Sequence, residues 1–144
     1  MKDFAITEHY SMYNLTVSED YPHLVLPNRN FLCRNPYLVS RLTLTTDRIL
    51  EPIYSYYQKK VIVTSAFRYL LLNSSVGGSK YSQHPKAEAI DFTVENENML
   101  DVFNYIEYNL LGLEWNQLIY YPKMNIIHIS MPTKTNNMRT KIKI

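Results

Sequence analysis

Four short runs of apolar and β-branched residues limit the folds open to this chain. They occupy residues 61–65, 88–94, 117–121 and 126–131. Runs of this length and composition are typical of β-strands. A stretch with helical periodicity separates the second run from the third, whereas only a tight turn around Pro122-Lys123 separates the last two. Because the strands come both with and without intervening helices, the sequence predicts an α+β fold.

The longest predicted helix precedes the first strand. Asn35-Pro36 is a good helix start, because a capping side chain is followed by a proline at the first helical position. Pro52 lacks the N–H that a helix interior needs, so it should kink or divide this helix. The apolar positions that recur at helical spacing are Leu38, Leu42, Ile49 and Ile53.

Two shorter helices are predicted further along the chain. Residues 69–75 precede the turn Val76-Gly77-Gly78-Ser79, whose glycines allow a backbone with positive φ. Residues 97–110 have one apolar face and are followed by Gly112, a residue typical of the position just past a helix end. The residues of that face are Leu100, Phe103, Ile106 and Leu110.

The two ends of the chain carry weaker signals. Thr7 can cap a short helix that runs to about Tyr13, and residues 14–35, with Pro22 and Pro27, are expected to form an irregular arm. Residues 132–144 form a basic tail, expected to be a solvated end or to contact an anionic polymer such as a bacterial envelope. Residues 1–144 are together predicted to form a single domain.

Length and composition exclude several classes of protein. A chain of 144 residues is the size of one domain with one core, and its formal charge of +2 is too small to indicate nucleic-acid binding. No apolar run approaches the length of a membrane span, and residues 1–6 lack the apolar core of a secretory signal, so we expect synthesis in the cytoplasm. Cys33 is the only cysteine, so no internal disulfide can form, and we expect it to be a small buried residue. We expect a monomer.

Two histidines and an aspartate form the strongest functional signal. His84 and Asp91 lie seven residues apart, and His128 follows 37 residues after Asp91 within an apolar run. Two imidazoles and one carboxylate are a ligand set that leaves a fourth zinc position open for water, as metal-assisted hydrolysis requires. Taken singly, each residue has an ordinary interpretation, such as a core histidine for His128 and a turn or cap residue for Asp91.

Strand geometry allows these three side chains to meet. Residues of one parity share a face of a strand, so Asp91 lies on the side of Ala87 and Ala89, whose small side chains leave space. His128 stands in mid-strand between isoleucines that face the other way. If the two strands are neighbours, the loop that carries His84 can fold back over them.

Several short elements occur in the same order in a known family. They are Ser65-Ala66-Phe67-Arg68, Leu72-Asn73, Val76-Gly77-Gly78-Ser79, Ser82-Gln83-His84, Ala87-Glu88-Ala89-Ile90-Asp91, Trp115-Asn116-Gln117-Leu118-Ile119 and Ile126-Ile127-His128-Ile129-Ser130. With the helical region before them, the chain resembles, over about residues 5–131, the zinc peptidases that include D-Ala-D-Ala carboxypeptidases, D-Ala-D-Ala dipeptidases and phage L-alanoyl-D-glutamate endolysins. The resemblance implies the small α+β fold shared with the Hedgehog signalling domain, a small antiparallel sheet flanked by helices.

The resemblance also implies roles for individual residues. His84, Asp91 and His128 would be the ligands of a Zn²⁺ cofactor, and Arg68 would hold a peptide carboxylate or stabilise the developing oxyanion. Ser82 would form a hydrogen bond near the site or to the substrate. The alternatives are a surface salt bridge for Arg68 and an ordinary turn residue for Ser82.

Three residues depart from the family pattern. Ala66 and Ala87 replace glycines, which changes little in volume. Asn125 stands three positions before the last histidine ligand, where the family commonly has an acidic general base, and an amide cannot accept a proton near neutral pH. Loss of a general base costs about 10²–10⁴ in rate, although bound zinc can still bring the pKa of a water to about 7.

Other residues could take over the role of the missing acid. Tyr120 and Tyr121 lie on the strand before the turn, and one of them should face the site, where its hydroxyl could donate to the leaving group or the oxyanion. Glu88 is the nearest carboxylate in sequence, but strand alternation turns it away from the site and predicts an exposed charge. The more distant carboxylates are Glu95 and Glu114.

The resulting hypothesis is a zinc peptidase that hydrolyses peptidoglycan stem or cross-bridge peptides next to D-amino acids. A phage or prophage lysis enzyme, acting at the bacterial cell wall after release or lysis, is one such protein. The alternative is a catalytically weak or inactive peptidoglycan-binding or structural module that keeps the fold, an alternative motivated by Asn125. A purely structural zinc is the third hypothesis, with Cys33 as the only candidate for a fourth ligand.

Overall fold

A five-stranded mixed sheet forms the centre of the structure, a computed structural model that describes residues 1–108 and 111–143 and all their side chains except those of Lys59 and Lys143. Its strands are β1 (Val61–Ser65), β2 (Ala89–Val94), β3 (Gln117–Tyr121), β4 (Ile126–Ser130) and β5 (Thr140–Lys143), in the spatial order β1-β2-β4-β3-β5. Neighbouring strands are antiparallel except β3 and β5, which are parallel.

Helices flank this sheet. They are α1 (Val25–Cys33), α2 (Pro36–Thr45), α3 (Glu51–Tyr57), α4 (Leu70–Ser75) and α5 (Met99–Glu107). Short 3₁₀ turns occupy Asn14–Thr16, Pro22–Leu24, Gln58–Lys60 and His84–Lys86. Among the described residues, no helix has both the length and the apolar character needed to cross a membrane. The predicted α+β class and the four predicted strands are confirmed.

The long predicted helix is divided before Pro52. Pro36 begins α2, although the side chain of Asn35 donates to the carbonyl of Phe31 at 2.7 Å and does not cap the helix. A π-helical segment, Thr46–Leu50, then connects α2 to α3, in which Pro52 is the second residue. Proline has no N–H and clashes with the carbonyl four residues earlier, so a wider turn just before it relieves both problems.

One face of the sheet is apolar and belongs to the main core. Its residues form a single cluster with the buried side chains of α2, α3 and α5. Alternation along the strands leaves Asp91 and His128 on the opposite face. The fully buried residues of the apolar face are Ile90, Phe92, Leu118, Ile127 and Ile129.

The predicted apolar face of α5 is shifted by one residue. Asn98 caps the helix by accepting from the N–H groups of Leu100 and Asp101. Met99, not Leu100, lies on the buried face with Val102, Phe103 and Ile106, and Leu100 is 38% exposed. Leu110, also predicted for this face, lies outside the described residues.

The N-terminal prediction was wrong in two respects. Residues 7–13 form no α-helix; a bridge pairs Ala5 with Ser11, and the Thr7 hydroxyl donates to Glu51 on α3 at 2.5 Å instead of capping. The expected irregular arm contains α1. Pro27 is the third residue of this helix, where backbone N–H groups have no intrahelical partner and proline is tolerated. Cys33, the last residue of α1, is exposed and not buried as expected.

The basic tail is partly ordered as a strand. Thr140–Lys143 form β5 beside β3, where a solvated end was expected. Asn116 connects the two strands, because its side chain donates to the carbonyl of Met138 at 2.7 Å and its carbonyl accepts from Thr140 at 2.7 Å. Lys141 and Lys143 flank Ile142 in this short segment, and lysines are common on edge strands, but the basic composition of the tail concealed the strand.

Asn28 fixes the chain segment that follows β1. It lies on α1 and is fully buried. Its Nδ2 donates to the carbonyl of Phe67 at 2.9 Å, and its Oδ1 accepts from the N–H of Tyr69 at 2.8 Å. The two bonds clamp the backbone on both sides of Arg68, so α1 determines where this arginine stands.

Replacing Asn28 should therefore destabilise the protein. Asn28→Ala leaves the Phe67 carbonyl and the Tyr69 N–H buried without their partner, so we expect the free energy of unfolding to fall by about 2–3 kcal/mol. Urea denaturation followed by circular dichroism measures this. Asn30→Ala, at a partly exposed position on the same helix, is the control, with an expected change within about 0.5 kcal/mol. Equal losses in the two variants would contradict the clamp.

Candidate metal centre

The pairing of β2 with β4 brings the predicted ligands together. Asp91 lies directly opposite His128 in this register, so both side chains point to the same face. His84 stands in the 3₁₀ turn His84–Lys86, just before β2. One ligand atom from each of the three side chains lies within 4.8 Å of the other two. Among the described residues, His84, Asp91 and His128 form the one group of side chains placed to hold a metal ion, and Cys33 does not belong to it.

The loop before His84 is held by Asn73. The N–H of Gly78 donates to the Asn73 carbonyl at 2.8 Å, and Asn73 Nδ2 donates to the carbonyl of Ser79 at 3.0 Å. A Cβ atom on Gly78 would lie 2.3 Å from Asn73 Oδ1, so a larger residue there would displace the Asn73 side chain that holds the loop. Ser82 Oγ accepts from the N–H of His84 at 3.3 Å, which is the behaviour of a turn residue.

Ala87 turns the chain from this loop into β2. Its φ of 58° is in the left-handed region, which costs a non-glycine residue about 1–2 kcal/mol. Glycine would adopt this conformation without that cost. Ala87 is fully buried, and the Thr45 hydroxyl at the end of α2 donates to its carbonyl at 2.7 Å, so packing holds the turn in place.

His84 presents a lone pair to Asp91. Its Nδ1 lies 2.6 Å from the carbonyl of Ala66, and because a carbonyl only accepts, Nδ1 carries the proton. Nε2 lies 3.2 Å from Asp91 Oδ1, is buried and makes no hydrogen bond. Burial lowers the pKa of His84, which favours the neutral ring. A lone pair and a carboxylate oxygen this close repel each other unless a proton or a metal cation lies between them.

Asp91 is the ionised member of the cluster. Burial alone would raise the pKa of its carboxyl, but the neighbouring His84 and His128 outweigh that effect and hold the pKa below its ordinary value. Nδ1 of His128 lies 2.8 Å from Asp91 Oδ1, and Nε2 of His128 is buried without a partner. Tetrahedral zinc with bonds of about 2.0–2.2 Å separates its ligand atoms by about 3.3 Å, so this donor set fits the ion.

Arg68 stands beside the cluster as a cation. It is partly buried, its Nε has no hydrogen-bond partner, and none of the ion pairs found among the described residues includes it. Burial lowers the pKa of Arg68, and the charge of Asp91 opposes this change, as does Tyr121. An arginine remains charged in proteins, so its guanidinium is available to an anionic group.

Strand alternation distinguishes the two candidate tyrosines. Ile119 lies opposite His128, so Tyr121, two residues later on β3, faces the same side. Burial raises the pKa of Tyr121, and Asp91 adds to this effect. Tyr120 faces the other side, packs against the core and lies 6.2 Å from Phe103 between ring centroids. The structure therefore does not bring Tyr120 to the predicted substrate site.

Ser65 reaches this face because β1 is irregular. A β-bulge between Val63 and Ser65 places Ser65 opposite Asp91. Its Oγ is buried and has no hydrogen-bond partner in the described part of the chain. No role was predicted for Ser65 from the sequence, because the pattern of β-branched residues in β1 gives no sign of a bulge. No role was predicted for Asn28 either.

Among the residues that the structure describes, no carboxylate besides Asp91 belongs to the metal-ligating cluster. Asn125 is exposed in the turn before β4, with a φ of 55°. Glu88 is 7% exposed and lies 3.7 Å from Arg41, so the expectation of an exposed charge was wrong; it turns away from Asp91, as predicted, towards α2. The two remaining candidates, Glu95 and Glu114, are exposed.

The comparison with known families agrees with this geometry. The model of the peptidase M15 family matches residues 27–130, from α1 through β4, and this range contains all three candidate ligands and Arg68. No curated protein matches the chain. Since the match covers most of the sequence, the chain belongs to the peptidase M15 family of metallopeptidases.

Proposed function

We propose that this protein is a zinc-dependent peptidase that hydrolyses peptidoglycan stem or cross-bridge peptides next to D-amino acids. His84, Asp91 and His128 would hold the zinc and leave one position for water. The observation that carries the proposal is the convergence of two imidazoles on one carboxylate: His84 Nε2 lies 3.2 Å and His128 Nδ1 2.8 Å from Asp91 Oδ1. A divalent cation placed among these atoms would make favourable contacts with all three side chains.

The residues around the ligands suit amide hydrolysis. Bound zinc would lower the pKa of a water to about 7 and polarise the scissile carbonyl. Arg68 would hold a peptide carboxylate or the developing oxyanion, because its guanidinium has no ion-pair partner among the described residues. Tyr121 keeps its proton at neutral pH, since burial and Asp91 both raise its pKa, and it would donate to the leaving group.

The cell-wall substrate is supported by the motifs of the chain. They resemble those of D-Ala-D-Ala carboxypeptidases and of phage endolysins, and the matching family acts on peptides. A role in lysis by a phage or prophage follows from the same resemblance and is part of this proposal.

One observation favours a second candidate function, a peptidoglycan-binding module with weak or no catalysis. Asn125 places an amide where an acid is common, and the metal-ligating cluster of the described residues contains no carboxylate besides Asp91. Such a module would keep the fold and the metal but would turn over slowly.

Zinc content tests the metal site. The wild-type protein should retain about one zinc per chain after dialysis, measured by plasma mass spectrometry. His84→Ala removes a ligand, so its affinity for zinc should fall by more than tenfold, since even the loss of an outer partner costs about 10–100-fold. His23→Ala, at an exposed histidine, is the matched control and should retain the metal. Stoichiometric zinc in His84→Ala would refute the assignment.

Arg68 variants test the anion-binding role. Arg68→Gln should lower kcat/KM for a purified muropeptide by about 10²–10³, the usual cost of an oxyanion-stabilising donor. Arg68→Lys keeps the charge without the planar fork and should recover part of the loss. Melting curves show whether both variants fold. An unchanged kcat/KM in folded Arg68→Gln would show that this residue does not contact the substrate.

Asn125→Asp separates the enzyme from the weak module. We expect the wild-type protein to cleave muropeptides measurably, and the added acid to raise the rate by less than about 10²-fold, below most of the usual range of a general base. Asn137→Asp adds the same charge at an exposed position between β4 and β5 and controls for net charge. A near-zero wild-type rate with a larger gain in Asn125→Asp alone would instead support the module.

A further inference from the structure

We propose that the free edge of β1 binds the peptide part of the substrate as an added extended strand, with one peptide residue exchanging two backbone hydrogen bonds with Val63. The proposal rests on the peptidase function above and names where the peptide lies. Strand addition at an open sheet edge is a general mode of peptide recognition, in which backbone bonds supply the affinity.

The backbone of Val63 points away from the sheet. In an antiparallel ladder, every second residue of a strand directs its backbone N–H and C=O groups towards a given neighbour. The N–H of Glu95 donates to the Lys60 carbonyl at 2.8 Å, so the backbone groups of odd-numbered residues of β2 point towards β1. The N–H of Met131 donates to the Glu88 carbonyl at 2.8 Å, so the backbone groups of even-numbered residues of β2 point towards β4. Val63 lies opposite Phe92, an even-numbered residue. Its N–H and C=O groups therefore face outwards, and β1 is an edge strand.

A cleft of about 660 Å³ runs along this edge. Residues 61–64 of β1 form one side, and the N-terminal segment, α1 and Tyr54 form the other. The lining is largely apolar but contains one charge of each sign, Arg29 and Glu19. Proteins usually cover or charge an exposed edge, whereas this one is recessed and open to an extended chain.

Two buried hydroxyls in the cleft lack partners. Tyr10 is 6% exposed, and its hydroxyl has no hydrogen bond in the described part of the chain. Thr64, at the β-bulge, has a buried Oγ1 that likewise has no hydrogen-bond partner among the described residues. Both residues line the cleft. Buried polar groups are almost always paired, and a carbonyl or N–H group of a bound peptide that reached these hydroxyls would supply the partner they lack.

The strand that lines the cleft continues to the candidate metal centre, because Thr64 is followed directly by Ser65. Ser65 follows Val63 by two residues, about 7 Å along a strand, and lies opposite Asp91. A peptide paired with Val63 therefore reaches the ligands within a few residues. This continuity, the outward backbone groups and the mixed charge of the walls favour a peptide over other occupants.

An ester scan tests the pairing without altering the protein. A synthetic peptidoglycan tetrapeptide is made with each amide in turn replaced by an ester, and binding to the zinc-free and zinc-loaded protein is followed by amide chemical shifts. We expect one ester to weaken binding about 3–10-fold, the worth of one hydrogen bond, and the Val63 amide to shift on binding. Equal binding by all esters, or shifts confined to other strands, would overturn the proposal.

A proline at Val63 gives a second, independent measurement. Val63→Pro removes the outward N–H without breaking the β1–β2 ladder, so the variant should fold and bind the all-amide peptide about 3–10-fold more weakly. Val63→Ala removes only side-chain atoms, and the difference between the two variants isolates the N–H. If Val63→Pro matches Val63→Ala in binding, the pairing is refuted.

The two proposals fail in different ways. Hydrolysis that persists with no sensitivity to the esters or to Val63→Pro would refute the pairing and leave the peptidase function intact. Ester-sensitive binding at β1 without hydrolysis of any peptide would support the pairing and refute the peptidase function.

Discussion

The pairing of β2 with β4 is the constraint on which the functional site depends. It sets Asp91 opposite His128. Because side chains alternate between the two faces of a strand, each residue lies either on the site face or on the core face. A slip of one residue would carry His128 into the apolar core and one of its neighbouring isoleucines to the site. Burial of Ile127 and Ile129 against the core opposes that slip, so the packing on one face of the sheet fixes the chemistry on the other.

Around this pairing, each element contributes one position. The turn after Ser82 supplies His84, whose ring is oriented by the carbonyl of Ala66. The bulge in β1 turns Ser65 towards Asp91, and α1 clamps the backbone around Arg68 through Asn28. The metal ligands are thus held by regular strands and a tight turn, whereas the groups that would contact substrate depend on longer-range contacts.

Local signals in the sequence predicted most of the fold. The four β-branched runs became strands, and Asn35-Pro36 marked the start of α2, because both patterns act over a few neighbouring residues. Elements decided by distant contacts were missed: α1 lies in a proline-containing stretch, and β5 needs β3 as a partner. The position of Tyr121 on the site face followed from parity only once the register with His128 was known. No sequence pattern indicated that Asn28 on one helix holds the backbone on either side of Arg68.

The exposed position of Cys33 has a consequence for the oxidised protein. It is the only cysteine in the sequence and ends α1, so its thiol can meet no partner within the chain. In an oxidising medium, two copies can be joined through this sulfur into a covalent dimer. The link would form at the far end of the helix that carries Asn28 and Arg29, leaving the sheet untouched while tethering one wall of the cleft to a second molecule.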